Sequence, residues 1–295
     1  VNTTTSANEL QQRVIQWYLN NHRDLPWRRD GFTAWGQLVA EFMLQQTQVD
    51  RVVPRLTQWL ERWPTPADLA SDSPAEAIRL WDRLGYPRRA LWLHRAAVQI
   101  VERFDGEVPN SVDDLLTLQG VGDYTARAVA VFAFGMHEAV VDTNTRRVLA
   151  RAVTGLSAAP APNTSSDLAL MGSVLPAQAP ESVDFNAGMM ELGAIVCTAR
   201  KPLCDECPIV DLCAWAASGF VENSPSSQKR QAKFEGSDRQ ARGKMMALLR
   251  ERGATETTQL LTLVTDPEQA HRALVSLERD GLIVSLVDEV WQLPG

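Results

Sequence analysis

The sequence predicts an all-α body followed by a small α+β module, and three observations carry that prediction. Apolar residues recur at helical spacing, with no convincing strand before residue 250 and no internal repeat. Proline and serine stand where helices begin, as at Pro66, Pro74 and Ser111. After a Ser- and Asn-rich stretch at 219–227, the pattern changes and ends in two short β-prone runs, 283–287 and 290–293, around Asp288 and Glu289.

Residues 7–20 read as an amphipathic helix with Leu10, Val14, Trp17 and Tyr18 on one side. The segment DLPWRRD, 24–30, is an irregular link containing proline. A strongly apolar helix over 33–46 follows, then another over 49–62. Short helices over 66–70 and 74–84 each open on a proline, and a longer one covers 88–104. Ser111 caps a helix over 111–116 that leads into LQGVGD. Helices over 123–134 and 144–153 precede a loop rich in Ala, Pro and Ser at 157–166, and helices over 167–175 and 183–196 complete the body. Beyond the linker, a helix over 237–252, a strand or short helix over 258–264, a helix over 267–280 and the two terminal strands suggest a winged-helix module. A packing domain with no ligand fits the same pattern.

The 295 residues suffice for two domains or a little more, and 45% hydrophobic with 22% charged is ordinary for a globular chain. No apolar run reaches the roughly 18 residues of a membrane span, so no membrane partner is expected. The opening VNTTTSANELQQRV has no signal-peptide pattern, which predicts a cytoplasmic location. The net charge of −7 does not favour nucleic acid, but local groups of arginine do. Six lie between Arg79 and Arg103 against Asp82 and Glu102, and Arg127, Arg146, Arg147 and Arg151 form a second group. From 221 to 252, eight Lys and Arg face four Asp and Glu. Solvated helix faces would give the same pattern.

Three constellations carry chemistry. In Leu118-Gln119-Gly120-Val121-Gly122-Asp123, two glycines allow a tight turn and expose backbone N–H groups at a helix N-terminus, suited to a phosphate oxygen or simply to close packing. All four cysteines fall in Cys197-x6-Cys204-x2-Cys207-x5-Cys213, a set that holds either a [4Fe–4S] cluster or one zinc. Two carboxylates sit in unusual settings. Glu41, within LVAEFML, is either desolvated, which favours its protonated form, or on the solvent side of its helix. Asp142 sits at a helix N-terminus, where it caps the helix and is held ionised by the amides it accepts from.

LPWR (25–28), EFMLQQTQV (41–49), LWDRLGY (80–86), the hairpin GVG (120–122), VVDTNTRRVLAR (140–151), FNAGMMELGAIVC (185–197) and the cysteine loop occur in one order over about residues 8–216. With them the chain resembles the helix-hairpin-helix base-excision glycosylases, and within these the adenine-releasing branch. The resemblance implies a two-lobed helix-hairpin-helix fold with the lesion site between the lobes. Residues 1–24 and 135–218 would form an iron–sulfur lobe and 25–134 a six-helix lobe, followed by a linker at 219–236 and a winged-helix-like module at 237–295. Cys197, Cys204, Cys207 and Cys213 would hold a [4Fe–4S] cluster. The implied partner is double-stranded DNA with adenine opposite 8-oxoguanine or guanine, bound by a monomer associated with the nucleoid.

The same resemblance implies residue roles. Glu41 protonates adenine, at N7, and Asp142 stabilises the oxocarbenium-like sugar or attacks it. Tyr124 stands where bifunctional relatives carry a Schiff-base lysine, so lyase activity should be weak or absent and Tyr124 should bond near Asp142. Gln46 and Tyr86 wedge into the base stack, Thr47 and Asn144 lie near the lesion, Arg28 lines the adenine pocket, and Gly120 and Gly122 meet the DNA backbone. Three departures bear on specificity. Pro87 replaces a second tyrosine, Ala187 replaces a Gln or Glu facing adenine, and residues 228–295 are too short for the 8-oxoguanine-reading domain of many relatives. Two alternatives remain: a mismatch thymine or uracil glycosylase of the same superfamily, and a non-catalytic iron–sulfur DNA-binding regulator.

Overall fold

The computed structural model describes residues 3–223 and 233–295, with side chains from Ala7 onward. The centre of the expected linker, 224–232, lies outside the described residues. In chain order the helices are α1 (Thr3–Asn21), α2 (Ala34–Leu44), α3 (Val49–Arg62), α4 (Pro66–Ser71), α5 (Pro74–Trp81) and α6 (Arg88–Arg103). There follow α7 (Val112–Leu116), α8 (Asp123–Phe134), α9 (Thr143–Ala152), α10 (Thr164–Gly172), α11 (Ala179–Ile195) and α12 (Ala214–Ala217). The C-terminal module runs α13 (Asp238–Arg252), β1 (Thr255–Glu256), α14 (Thr257–Leu261), α15 (Pro267–Arg279), β2 (Val284–Val287) and β3 (Val290–Gln292).

The helix expected over 167–175 lies at Thr164–Gly172, its start fixed by Asn163, whose side chain accepts from the Ser166 N–H, and two other helix ends differ for a backbone reason. α2 stops at Leu44, short of 46, and α5 stops at Trp81, short of 84. Gln46 and Asp82 take left-handed φ of 56° and 46°, which an α-helix cannot continue through. Local side chains set several starts: Thr65 and Asp68 form a capping box on α4, and the Ser111 hydroxyl accepts from the Asp114 N–H on α7.

The chain divides into two compact units. The first comprises residues 1–37, 110–116 and 121–228. Its core joins Leu10 and Val14 of α1, Val148 and Leu149 of α9, Met171 of α10, and Phe185, Met189 and Leu192 of α11. Glycines let these helices close: a Cβ on Gly188 would come within 2.7 Å of Val14, and one on Gly193 within 2.7 Å of the Asn144 carbonyl. Buried Asn186 adds a polar tie. Its Oδ1 accepts from the Val140 N–H at 2.8 Å and its Nδ2 donates to the Glu138 carbonyl at 2.9 Å, which anchors the segment entering α9.

The second unit comprises residues 38–109, 117–120 and 229–295. Trp59 meets Trp63 and Trp81 edge to face at 4.7 and 5.7 Å, within a core that includes Leu56, Ile78, Leu93 and Ile100. The C-terminal module belongs to this unit. Its sheet order is β1-β3-β2 with antiparallel pairing, and with three helices this is a winged-helix-like arrangement. Within the 258–264 segment, open between strand and helix in the sequence, residues 258–261 belong to helix α14 and 262–264 form a turn, and β1 is a short strand that the sequence did not announce. Arg250 donates to the Ile78 carbonyl at 3.2 Å, and Asp280 pairs with Arg242 at 2.5 Å and with Arg88 at 3.5 Å. These bonds seat the module on the end of α5 and the start of α6.

Candidate active site and cluster loop

Glu41 lies in the last turn of α2 and is 2% exposed, beside Leu38, Val39, Ala40, Phe42 and Met43, each fully buried. The solvent-facing alternative is thereby excluded. Past the end of α2, Gln46 is exposed and Thr47 partly buried. The Thr47 hydroxyl donates to the Leu84 carbonyl at 3.4 Å and accepts from Arg89 at 3.2 Å, so the 44–47 turn and the turn carrying exposed Tyr86 are tied together. Arg89, which the sequence reading passed over as one of a basic group, is 4% exposed and fully internal.

In the hairpin, Gly120 has φ 82°, and a Cβ there would meet Trp92 at 2.8 Å and the Phe42 ring at 2.9 Å. Close packing and turn geometry therefore both demand glycine at 120. Gly122 is different: it is exposed, has open space around its Cα, and is the N-cap of α8, where first-turn N–H groups face outward. Tyr124, on the first turn of α8, is partly buried against Ala128, Val131 and Val140.

Asp142 is the N-cap of α9. Its Oδ1 accepts from the Thr145 N–H at 2.7 Å, and its Oδ2 accepts from Asn144 Nδ2 at 2.8 Å. Burial pushes the carboxyl above its usual value, outweighing the opposing pull of these neutral donors. Asn144 is itself held. Its Oδ1 accepts from Arg147 Nη2 at 2.7 Å, and Arg147 also donates to the carbonyls of Gly193 at 2.5 Å and Cys197 at 2.6 Å.

Arg28 is brought to a second carboxylate, Glu191, at 2.8 Å, and its guanidinium lies 5.4 Å from the Tyr18 ring centre. Glu191 is 1% exposed and also receives the backbone N–H, Nε and Nη2 of Arg23 at 2.8–2.9 Å. Burial opposes ionisation, yet the two arginines win and hold the acid down at about 2. This buried acid is a neutralised structural pair, unlike Asp142. Other arginines of the sequence groups are likewise turned to partners within the protein. Arg146 pairs with Asp167 at 2.7 Å, Arg127 pairs with Glu138, and Arg151 is buried. Their i, i+4 spacing in α9 was the signal that could have placed Arg147 and Arg151 on one inward face.

Cys197, Cys204, Cys207 and Cys213 line one small cavity with Pro202 and Trp215. Among the described residues, no three His, Cys, Asp or Glu side chains converge on a single-ion position. Four thiolates around one cavity are a ligand set that a [4Fe–4S] cluster or one zinc can use. Arg151 Nη1 lies 3.4 Å from Cys197 Sγ and supplies positive charge against the thiolates. The donor set fits a [4Fe–4S] cluster.

The HhH-GPD superfamily of base excision DNA repair proteins matches residues 39–165, and the iron–sulfur binding domain of endonuclease III matches 197–213. The adenine DNA glycosylase of Mycolicibacterium smegmatis is 48% identical over 284 residues, 96% of this chain and 95% of that protein. That coverage takes in most of the C-terminal module. The thymine-DNA glycosylase of Aeropyrum pernix is 38% identical over 209 residues, 70% of this chain and 93% of that protein. A solved thermostable thymine-DNA glycosylase superposes with a TM-score of 0.66 over 74% of this chain and all of its own, at 26% identity. On the two matched families and the identity that spans nearly the whole chain, this protein belongs to the adenine DNA glycosylase family of HhH-GPD base-excision repair proteins and carries that family's [4Fe–4S] loop.

Proposed function

We propose that this protein releases adenine from double-stranded DNA in which adenine is mispaired with 8-oxoguanine or guanine. The observation that carries the mechanism is that both carboxylates are held out of water, each on its own helix. Glu41 is buried among aliphatic and aromatic side chains, whereas Asp142 caps a helix and accepts from the neutral donors Thr145 and Asn144. Glu41, acting as the general acid, donates a proton to N7 of the extruded adenine as the glycosidic bond breaks. The electrons of that bond leave with the base, and positive charge develops on the sugar. That charge favours ionised Asp142, which stabilises the cation or closes on it until water completes hydrolysis. Tyr124 has no amine, so no Schiff base forms and strand cleavage is weak.

Extrusion of the base costs a few kcal/mol, and aromatic stacking returns roughly 1–3 kcal/mol. Exposed Tyr86 and Gln46 take that role beside the opposing base, Thr47 and Asn144 contact the lesion, and Arg28 borders the adenine. The N–H groups at Gly120 and Gly122 receive a DNA phosphate. The cluster, when bound, cross-links the 197–213 loop, and base release proceeds on side chains alone. The protein acts as a monomer in the cytoplasm at the nucleoid, through an iron–sulfur lobe (1–24 and 135–218) and a six-helix lobe (25–134). No helix of the described residues is long and apolar enough to cross a membrane.

Similarity to thymine-DNA glycosylases supports a second reading, removal of mismatched thymine or uracil. Single-turnover base release separates the two, using duplexes with A, T or U opposite 8-oxoguanine, G, C and T. Adenine release fastest opposite 8-oxoguanine, with losses of orders of magnitude in Glu41→Gln and Asp142→Asn, is the expected result. Release of T or U but no A sinks the adenine reading.

A further inference from the structure

Gln46 and Tyr86 share an unusual backbone. Both take left-handed φ, 56° and 48°, a region that residues with a side chain seldom occupy and that persists only where the surroundings hold it. The peptide carbonyl just before each of them is held by one side chain. Arg89 Nη1 donates to the Gln45 carbonyl, and Nη2 donates to the Gly85 carbonyl at 3.2 Å. The same guanidinium reaches the Phe42 carbonyl at 2.8 Å and the Thr47 hydroxyl at 3.2 Å. Its carbon lies 5.3 Å from the ring centres of both Tyr86 and Trp81.

Among the described ion pairs Arg89 has no carboxylate partner; carbonyl oxygens and aromatic faces balance its charge. Burial lowers its pKa to about 10, so it remains cationic at neutral pH. A guanidinium can bond both turns at once because its donors form a rigid planar fork. A lysine ammonium, a single point on a flexible stem, cannot span them.

We propose that Arg89 is a positioning residue that locks the 44–47 and 84–87 turns into one preformed wedge, so that Gln46 and Tyr86 meet DNA already in their inserting conformation. This rests on the reading of Gln46 and Tyr86 as wedge residues. Ordering the two turns before binding removes an entropic cost that would otherwise fall on base extrusion. Arg89 therefore acts on extrusion and leaves the chemistry of Glu41 and Asp142 untouched.

The test compares wild type with Arg89→Lys, Arg89→Met, Gln46→Ala, Tyr86→Ala and the Arg89→Lys/Tyr86→Ala pair. Adenine release is followed under single turnover from an A:8-oxoguanine duplex and from a duplex with adenine opposite a tetrahydrofuran abasic site, where no opposing base must be held. Fluorescence of 2-aminopurine at the target position reads extrusion, and thermal melting checks the fold. Both Arg89 variants should slow release from the mispair by roughly 10–100-fold with a matching loss of extrusion signal. The loss should shrink to about threefold on the abasic-opposed duplex, and Arg89→Lys should add little to Tyr86→Ala. Arg89→Lys is the milder replacement and carries the test if Arg89→Met does not fold. Wild-type rates in Arg89→Lys, an equal loss on both duplexes, or losses that multiply with that of Tyr86→Ala overturn the role of Arg89 while leaving the wedge in place. Wild-type rates in both Gln46→Ala and Tyr86→Ala overturn the wedge reading itself.

Discussion

Asn144 donates from Nδ2 to Asp142 Oδ2 at 2.8 Å while its own Oδ1 accepts from Arg147 at 2.7 Å. The arginine thus sets which end of the amide faces the acid. Burial raises the Asp142 pKa and this bond lowers it, so removing the bond should raise it further. If base release needs ionised Asp142, the rate falls as pH drops through that pKa. Asn144→Ala should then move the acid limb of the single-turnover profile to higher pH. A hydrogen bond of about 1 kcal/mol corresponds to a little under one pH unit. Arg147→Leu should shift it in the same direction. An unchanged limb in both variants would show that the amide does not act through Asp142.

Glu191 gives a pH dependence of stability with a definite sign. Its folded pKa of about 2 lies below the ordinary 4.5, so the folded state binds fewer protons than the unfolded state in this range. Its contribution, about 3 kcal/mol from the size of the shift, is fully present above about pH 4.5 and is lost as pH falls toward 2. Urea melts of wild type and Glu191→Gln should differ most near neutral pH and converge near pH 2–3. Curves that stay parallel across this range would refute the assignment.

Much of the fold was legible in the sequence because most helices begin on local signals: Pro66, Pro74, Ser111 and Asp142 each mark a start that the structure keeps. Ends were less legible where the reason is backbone conformation, as at Gln46 and Asp82, since no residue type there announces a positive φ. The cysteine spacing marked a metal-binding loop, and the apolar run around Glu41 raised burial against a solvent-facing alternative, of which the structure shows burial. Arg89 was illegible because a buried arginine and a solvated one look alike in sequence, whereas the i, i+4 spacing of Arg147 and Arg151 marked a shared face without showing that it turns inward. Only tertiary contacts show that their donors go to carbonyls.

The two hairpin glycines should respond differently to a methyl group. At Gly120 an added Cβ meets Trp92 Cβ at 2.8 Å and the Phe42 ring at 2.9 Å, on a backbone with φ 82°. Gly120→Ala should cost roughly 1–3 kcal/mol and lower the melting temperature by several degrees. At Gly122 nothing lies within 4 Å and φ is −105°, so Gly122→Ala should melt like wild type. If its N–H groups serve a phosphate, any loss in Gly122→Ala should appear as weaker binding to duplex DNA of any sequence. Equal melting losses in the two variants would contradict this division.

Arg151 should govern how firmly the cluster is held. Its Nε donates to the Ser157 carbonyl at 2.9 Å, its Nη1 to the Thr198 carbonyl at 2.8 Å, and its Nη2 to the Ala199 carbonyl at 3.3 Å. Nη1 also lies 3.4 Å from Cys197 Sγ, and the guanidinium stacks 4.7 Å from the Trp215 ring centre. One side chain therefore braces the start of the cysteine loop and offsets thiolate charge. Charge-assisted hydrogen bonds contribute about 1.5–3 kcal/mol each, so Arg151→Leu should lose several such contacts at once. Lower visible absorbance per protein chain and faster bleaching with an iron chelator are expected, with Arg151→Lys intermediate because it keeps charge but not the fork. Since Arg151 also supports α9 from inside, melting should be measured on reconstituted protein with matched iron content. If Arg151→Leu holds a full cluster that bleaches at the wild-type rate, the guanidinium supports the polypeptide alone and the thiolates need no help from it.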